Sequence, residues 1–123
     1  MPSPPMVASS EKCFMKSLIL LEIDGASSDE LVVDLKSRHL LVTRSTMGRG
    51  GVARIEAGYP LFDIVVLDMS LDRAIDWDTL DRVHRFVVMH APRSMILCFS
   101  RIYRGPRMKL RAERKGARFI YVR

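Results

Sequence analysis

Cysteine is scarce in this chain: of its 123 residues only Cys13 and Cys98 are cysteines, and they lie far apart in the sequence. They form no Cys-x-x-Cys pair and have no metal-ligand spacing, which argues against a metal-binding module. This usage predicts a cytoplasmic protein with reduced thiols. Cys98 lies within an apolar stretch, so we expect it in the core rather than at a reactive site.

Long hydrophobic runs are also absent. No apolar segment approaches the roughly 20 residues that a membrane-spanning helix needs, so the sequence predicts no membrane segment. The apolar run at residues 18–21 follows Lys16 but soon meets Glu22 and Asp24, which favours a first strand over a signal peptide. With 48% hydrophobic residues, the chain is nevertheless apolar enough to build the core of one domain.

The motifs of conventional enzymes are missing as well. The glycine-rich stretch at residues 48–51 lacks the Lys-Ser/Thr ending of a phosphate-binding loop, and no Gly-x-Ser-x-Gly elbow occurs. The histidines His39, His84 and His90 have no ligand spacing with cysteines or carboxylates. We therefore expect structural histidines and no conventional enzymatic activity.

Charge is distributed unevenly along the chain, whose formal net charge is +6. Residues 101–123 carry nine lysines or arginines and one acid, Glu113, which gives them a net charge of +8, whereas residues 1–100 have −2. The basic segment predicts contact with phosphate groups or with an acidic protein surface, unless it is simply a solvated helix face. Nucleic-acid binding through residues 101–118 is disfavoured, because Tyr103 is the only aromatic residue among these cations.

Helical and strand patterns alternate along the sequence. Residues 1–16 contain three of the six prolines and form a predicted flexible tail, and residues 17–123 form the predicted domain. The alternation predicts an α/β fold in which a five-stranded parallel sheet is covered by helices on both faces. The predicted strands are residues 17–24, 40–43, 62–67, 94–100 and 119–122; the predicted helices run from a cap at Ser27 or Ser28 to His39, and over residues 51–57, 77–88 and 108–115.

The most informative segment is the apolar strand at residues 62–67, which ends at Asp68. A strand that is apolar on both faces belongs inside a sheet covered on both sides. In open α/β sheets ligands bind beyond the carboxyl ends of the strands, so we expect Asp68 at the functional site. The alternative is that Asp68 merely begins a loop.

Three segments together resemble the receiver domains of two-component response regulators, including the chemotaxis receivers. They are FDIVVLDMSL, MILCFS and LRAERKGARFIYVR, at residues 62–71, 95–100 and 110–123. The resemblance implies a doubly wound, flavodoxin-like receiver fold, with a phosphoryl group accepted by Asp68 from a histidine kinase or phosphotransfer protein. It also implies that Ser100 and Arg123 hold the phosphoryl oxygens, and that the only chemistry is self-phosphorylation and self-dephosphorylation of the aspartate.

The resemblance further implies a Mg²⁺ ion, because a divalent cation reduces the repulsion between a carboxylate and a phosphoryl group. Its implied ligands are Asp68, the backbone carbonyl of Ser70 and the acids that end the first strand. Those acids, Glu22 and Asp24, are separated here by Ile23, whereas the family has two adjacent acids. Alignment from the strand puts Ile23 at the ligand position, and alignment from the following helix puts Asp24 there. We favour Asp24 and expect weak or absent Mg²⁺ binding.

Other departures from the family pattern favour a second hypothesis. Arg123 replaces the usual lysine, and Arg101 follows Ser100 where a small residue is usual. Arg101 either covers the pocket or pairs with Asp68. Together with Ile23, these residues favour a degenerate receiver that acts as a protein-interaction module without phosphorylation.

The last residues of the sequence affect how one face of the sheet is expected to be covered. Receivers continue into a fifth helix after the fifth strand, but this sequence stops at Arg123, so we expect the last helix to be lacking and one sheet face to be partly bare. A homodimer or another tightly held partner is expected to cover that face. The alternative cover is the tail, through Met6, Val7, Phe14 and Met15. Without a separate effector domain, output is expected through an output protein partner.

Overall fold

A computed structural model describes residues 15–24, 28–58 and 61–122 of the chain. Strands and helices alternate throughout these residues, as predicted from the sequence. None of the helices in these ranges is both long and apolar enough to span a bilayer. The elements are β1 (Ser17–Glu22), α1 (Asp29–Ser37), β2 (Leu41–Thr46), α2 (Arg49–Glu56), β3 (Ile64–Asp68), α3 (Ala74–His90), β4 (Met95–Ser100), α4 (Pro106–Arg114) and β5 (Arg118–Tyr121).

The five strands form one parallel sheet in the order β2-β1-β3-β4-β5. The predicted α/β fold with a doubly wound parallel sheet is thereby confirmed. β3 lies at the centre, where Leu67 pairs with Leu21 on one side and with Cys98 on the other. The order of connection reverses between β1 and β3, and such a switch point opens a crevice at the carboxyl ends of the strands. Asp68, the last residue of β3, lies at this crevice.

Two apolar clusters pack against the two faces of the sheet. On one face α2, α3 and α4 contribute Val52, Trp77 and Met108 to the larger cluster. On the other face α1 contributes Val32, which belongs to the same cluster as Phe99 of β4. The strands in the middle are therefore covered on both sides, which explains why β3 is apolar up to Asp68.

The face that carries α1 has less helical cover near β5. Within the described ranges, no helix other than α1 contributes to the cluster on this face. Ile120 of β5 is 47% exposed there. Cover by a homodimer or by the tail stays a prediction, because Met6, Val7 and Phe14 lie outside the described residues. The domain boundary at residue 17 and the lack of a fifth helix also stay predictions.

The end of β2 and the start of α2 differ from the predicted positions. β2 continues to Thr46 instead of ending at residue 43, because it pairs with β1 as far as Glu22. α2 begins at Arg49 instead of residue 51, directly after Gly48 turns the chain with a φ of 88°. The periodicity of a sequence reflects neighbouring residues only, so it predicts neither the sheet register nor the turn at Gly48.

The two ends of α1 also differ from the prediction. His39 lies beyond the helix with a φ of 63°, a left-handed conformation that ends the helical path. At the other end Ser28 precedes the helix, but its side chain makes no capping hydrogen bond. Ser27, the alternative cap, lies outside the described residues.

Cys98 is buried in β4, as predicted from its apolar neighbours. Burial raises the pKa of its thiol to about 12, so the thiol is protonated at neutral pH. A protonated and enclosed thiol is a poor nucleophile, which agrees with a structural role.

Gly51 lies where α2 comes closest to the sheet. A Cβ atom at this position would lie 2.1 Å from the carbonyl oxygen of Thr46 and 2.6 Å from a methyl carbon of Leu21, so the backbone would have to move. We expect Gly51→Ala to lower the free energy of unfolding by about 1–3 kcal/mol, although alanine normally stabilises a helix relative to glycine. Urea unfolding measures this change.

The adjacent Gly50→Ala is the matched control for that measurement. Its Cβ would approach only the side-chain hydroxyl of Thr46, at 2.8 Å, and a hydroxyl can rotate away. We expect this variant to be close to the wild type in stability. Equal losses in both variants would contradict the close approach at Gly51.

Candidate site at the carboxyl end of β3

The predicted phospho-acceptor, Asp68, ends β3 at the switch point of the sheet. Its side chain is only 1% exposed. On the neighbouring strand Asp68 pairs with Phe99, and Ser100 follows as the last residue of β4. The sheet therefore brings Asp68 and Ser100 to the same edge, as the sequence predicts. Arg123, the third member of the predicted set, lies outside the described residues.

Both carboxylate oxygens of Asp68 accept hydrogen bonds from residues of this chain. Nη1 of Arg101 donates to Oδ2 over 3.1 Å, and the backbone N–H of Ser70 donates to Oδ1 over 3.0 Å. The Arg101 guanidinium also lies 5.1 Å from the centre of the Phe99 ring, a cation–π distance. Of the two alternatives predicted for Arg101, pairing with Asp68 is the one observed.

The loop at residues 101–105 is held against β3 by further contacts to Ser70. The backbone N–H of Arg101 donates to the hydroxyl of Ser70 over 2.9 Å. The guanidinium of Arg104 donates to the backbone carbonyl of Ser70 through Nη2 at 2.9 Å and Nε at 3.3 Å. Two arginines of one loop therefore bind two neighbouring oxygen acceptors at the end of β3.

Tyr121 of β5 holds the other side of the same loop. Its hydroxyl donates to the carbonyl oxygen of Gly105 over 2.6 Å and accepts from the backbone N–H of Arg104 over 3.3 Å. Its ring lies 4.9 Å from that of Tyr103. The loop is thus fixed to β3 on one side and to β5 on the other.

The hydroxyl of Ser100 is engaged within this loop. It donates to the carbonyl oxygen of Ile102 over 2.7 Å and accepts from the backbone N–H of Ile102 over 3.1 Å. Ser100 is fully buried. To hold a phosphoryl oxygen at Asp68, the hydroxyl would have to give up its bond to Ile102.

The acids at the end of β1 differ in their surroundings. Glu22 is buried, and its two carboxylate oxygens accept a bidentate pair from Arg44 at 2.6 and 2.9 Å. Arg44 also pairs with Asp29 at 2.8 Å, and the bonds to Glu22 and Asp29 raise the pKa of the guanidinium. Asp24, the favoured metal ligand, is exposed beyond the end of β1.

These contacts bear on whether the site fits Mg²⁺, which takes hard oxygen ligands in octahedral geometry. The Asp68 carboxylate, the Ser70 carbonyl and the Glu22 carboxylate all accept from guanidinium groups, which bind such oxygens in place of a metal. In the described part of the chain, no three His, Cys, Asp or Glu side chains gather where they could hold a metal ion. As arranged, the site does not fit Mg²⁺.

Two of these arginines were not predicted as site residues. Arg104 reaches a backbone carbonyl, which every residue has, so no sequence pattern points to the contact. Arg44 reaches Glu22 from the neighbouring strand, two residues before Thr46, the paired partner of Glu22. The acid Glu22 at the end of β1 was the only indication that a cation lies nearby, and only the sheet register identifies that cation as Arg44.

The similarities to known proteins are similarities of structure. No protein-family model and no curated protein matches the chain. The receiver domain of the histidine kinase CKI1 from Arabidopsis thaliana is similar, with a TM-score of 0.70 at 15% identity, covering 94% of this chain and 87% of that one. The chemotaxis protein CheY4 of Vibrio cholerae gives 0.69 at 15% identity, with 88% and 85% covered.

A putative pilus assembly protein from Burkholderia thailandensis is also similar, with a TM-score of 0.62 at 21% identity, covering 87% of this chain and 85% of that one. Identities this low establish the fold and no more. The chain therefore has the same fold as the receiver domains it resembles.

Proposed function

We propose that this chain is a degenerate receiver, which acts through contacts with an output protein and without phosphorylation of Asp68. The observation that carries the proposal is the ion pair between Asp68 and Arg101, whose nitrogen and oxygen are 3.1 Å apart. A phosphoryl acceptor needs an uncommitted carboxylate oxygen, and here Oδ2 is bound to a cation of the same chain. Cytoplasmic location belongs to the same proposal and rests on the unpaired thiol of Cys98.

The loop contacts fix the position from which the Arg101 side chain reaches Asp68. Phosphorylation would require Arg101 to leave Asp68, and Arg101 is tied to Ser70 through its own backbone N–H. Arg104 and Tyr121 hold the rest of the loop. Hydrogen bonds to charged groups contribute about 1.5–3 kcal/mol each, so separating the Arg101 guanidinium from Asp68 opposes the reaction.

A small phosphodonor tests the proposal. We expect the wild-type chain, incubated with acetyl phosphate and Mg²⁺, to keep its unmodified mass in intact-protein mass spectrometry, because Arg101 blocks the Asp68 carboxylate. The control variant is Asp68→Asn. A phosphoryl adduct that forms on the wild type and is lost in Asp68→Asn would contradict the proposal.

The second candidate is a phospho-acceptor receiver that takes its phosphoryl group from a histidine kinase or phosphotransfer protein. The position of Asp68 and Ser100 at the ends of adjacent strands favours it. In this case Arg101 would have to swing away before the reaction, and a labelled wild type in the mass spectrum would support it. The residues it assigns are Asp68, Ser100 and Arg123 for phosphoryl transfer, and Asp24, Asp68, Ser70 and Glu22 for Mg²⁺.

A further inference from the structure

We propose that the groove between α2 and α3 binds a nucleotide. The groove has no residue in common with the site around Asp68, so this inference goes beyond the proposed function and does not depend on it. It consists of two adjoining cavities, of about 460 and 350 Å³, whose linings share Arg82 and Arg85. Cavities of this size accommodate small-molecule ligands. The side chains that line them indicate the class of ligand.

The first cavity has a floor of small residues that hydrogen bonds hold in place. Gly48 and Thr79 are both buried there, and the backbone N–H of Gly48 donates to the hydroxyl of Thr79 over 3.0 Å. That hydroxyl donates in turn to the carbonyl oxygen of Ile75 over 2.7 Å. The side chain of Ile75 is left 46% exposed beside the cavity. A cavity fixed in this way loses little conformational entropy when a ligand arrives.

Two arginines of the first cavity have no acid partner among the residues that the structure describes. Arg49, the first residue of α2, forms no ion pair or side-chain hydrogen bond with them. Arg85 of α3 donates only to the backbone carbonyl of Asp81, over 3.4 Å. A guanidinium binds a phosphate group through parallel hydrogen bonds, so these two arginines are suited to the phosphates of a ligand.

Two of the three acids that line the groove are already paired. Glu56 of α2 accepts from Arg82 of α3 over 2.9 Å, and Asp81 accepts from Lys115 over 2.6 Å. The third acid, Asp78, is exposed in the first cavity and has no cation partner in the described ranges. A carboxylate beside a phosphate site repels the phosphates but can accept from ribose hydroxyls, as acids do in dinucleotide-binding folds. Asp78 therefore favours a nucleotide over a simple inorganic anion.

The second cavity offers an aromatic and apolar surface. Phe86 and His90 line it, with their ring centres 4.9 Å apart. Met89 is 74% exposed beside them, and its flexible thioether side chain adapts to the shape of a ligand. Nucleic-acid bases stack on aromatic rings with little dependence on which base it is. The groove thus combines cations for phosphates, an acid for the ribose and aromatic rings for the base.

Titration of the full chain with ATP and with GTP, in the absence of Mg²⁺, tests the proposal. We expect at least one of the two nucleotides to cause saturable shifts in the backbone amide resonances of Arg49, Asp78 and Phe86, which together belong to both cavities. Pyrophosphate lacks the nucleoside and should bind at least about tenfold more weakly, because base stacking is lost. It should leave the Phe86 resonance in place.

Arg49→Gln/Arg85→Gln should weaken binding of that nucleotide by at least about tenfold, because two charge-assisted contacts are lost. The matched control is Arg114→Gln/Arg118→Gln, which removes the same charge at two exposed positions outside the groove and should bind like the wild type. Phe86→Leu should weaken nucleotide binding several-fold and leave pyrophosphate binding unchanged. Retained pyrophosphate binding also shows that this variant is folded.

Equal weakening by both double variants would overturn the proposal, in favour of a general attraction of anions to a basic chain. Nucleotide binding no tighter than that of pyrophosphate would overturn it in the same way. The absence of saturable shifts with both nucleotides would overturn it outright. None of these results bears on phosphorylation of Asp68, because Asp68→Asn is expected to bind the nucleotide like the wild type.

Discussion

Arg101→Ala should lower the free energy of unfolding by about 3 kcal/mol, because it leaves the buried carboxylate of Asp68 without its cation. With Arg101 in place the Asp68 side chain is only 1% exposed, whereas the Arg101 side chain is 28% exposed. The reverse change, Asp68→Asn, should therefore cost less, since the released guanidinium can reach water. Urea unfolding of both variants measures the difference.

The double variant Asp68→Asn/Arg101→Ala is the control for this expectation. Replacing both members of a buried ion pair removes the unpaired charge, so the double variant should be more stable than Arg101→Ala alone. Recovery of stability in the double variant would identify the uncompensated Asp68 charge as the cause. An Arg101→Ala variant as stable as the wild type would contradict the role assigned to the pair.

Mg²⁺ binding should appear in Ile23→Asp/Arg101→Ala, whereas we expect the wild type to bind the ion weakly or not at all. Removing the guanidinium frees an oxygen of Asp68, and the new carboxylate supplies the second acid that the first strand lacks. We expect the affinity for Mg²⁺ to rise by at least about tenfold, or ~1.4 kcal/mol. Isothermal titration calorimetry measures it directly.

The single variant Ile23→Asp separates the effect of the added acid from the effect of removing the Arg101 guanidinium. With Arg101 still bound to Asp68, the added acid should improve Mg²⁺ binding little. A full gain in this single variant would mean that Arg101 does not compete for the site. No gain in the double variant would favour Asp24 as an existing ligand, or a site that binds no metal.

The fold was predictable from the sequence because each strand or helix is indicated by a pattern among neighbouring residues. The apolar strand before Asp68 and the helical spacing of Trp77, Leu80 and Val83 each indicate one element, and their alternation indicates a parallel sheet. The ends of β2 and α2 were less predictable. Pairing between Glu22 and Thr46 extends β2, and this register joins residues far apart in the chain.

The site was predictable where its residues are neighbours in the chain or end adjacent strands. Asp68 and Ser100 were placed at one edge, and pairing by Arg101 was one of two stated alternatives because it follows Ser100. The bond from Arg104 to the Ser70 carbonyl depends on the course of the loop at residues 101–105, which turns through Gly105 at a φ of 76°. No sequence pattern predicts the conformation of this loop, and none predicts a hydrogen bond to a backbone carbonyl.

Beryllium fluoride, a mimic of the phosphoryl group, tests the central claim that Asp68 is committed to Arg101. The measurement is a titration of the wild-type chain with beryllium fluoride and Mg²⁺, followed by the backbone amide resonances of Ser70 and Arg101, both of which donate to the site. We expect these resonances to remain in place. Saturable shifts in the wild type that vanish in Asp68→Asn would contradict the account.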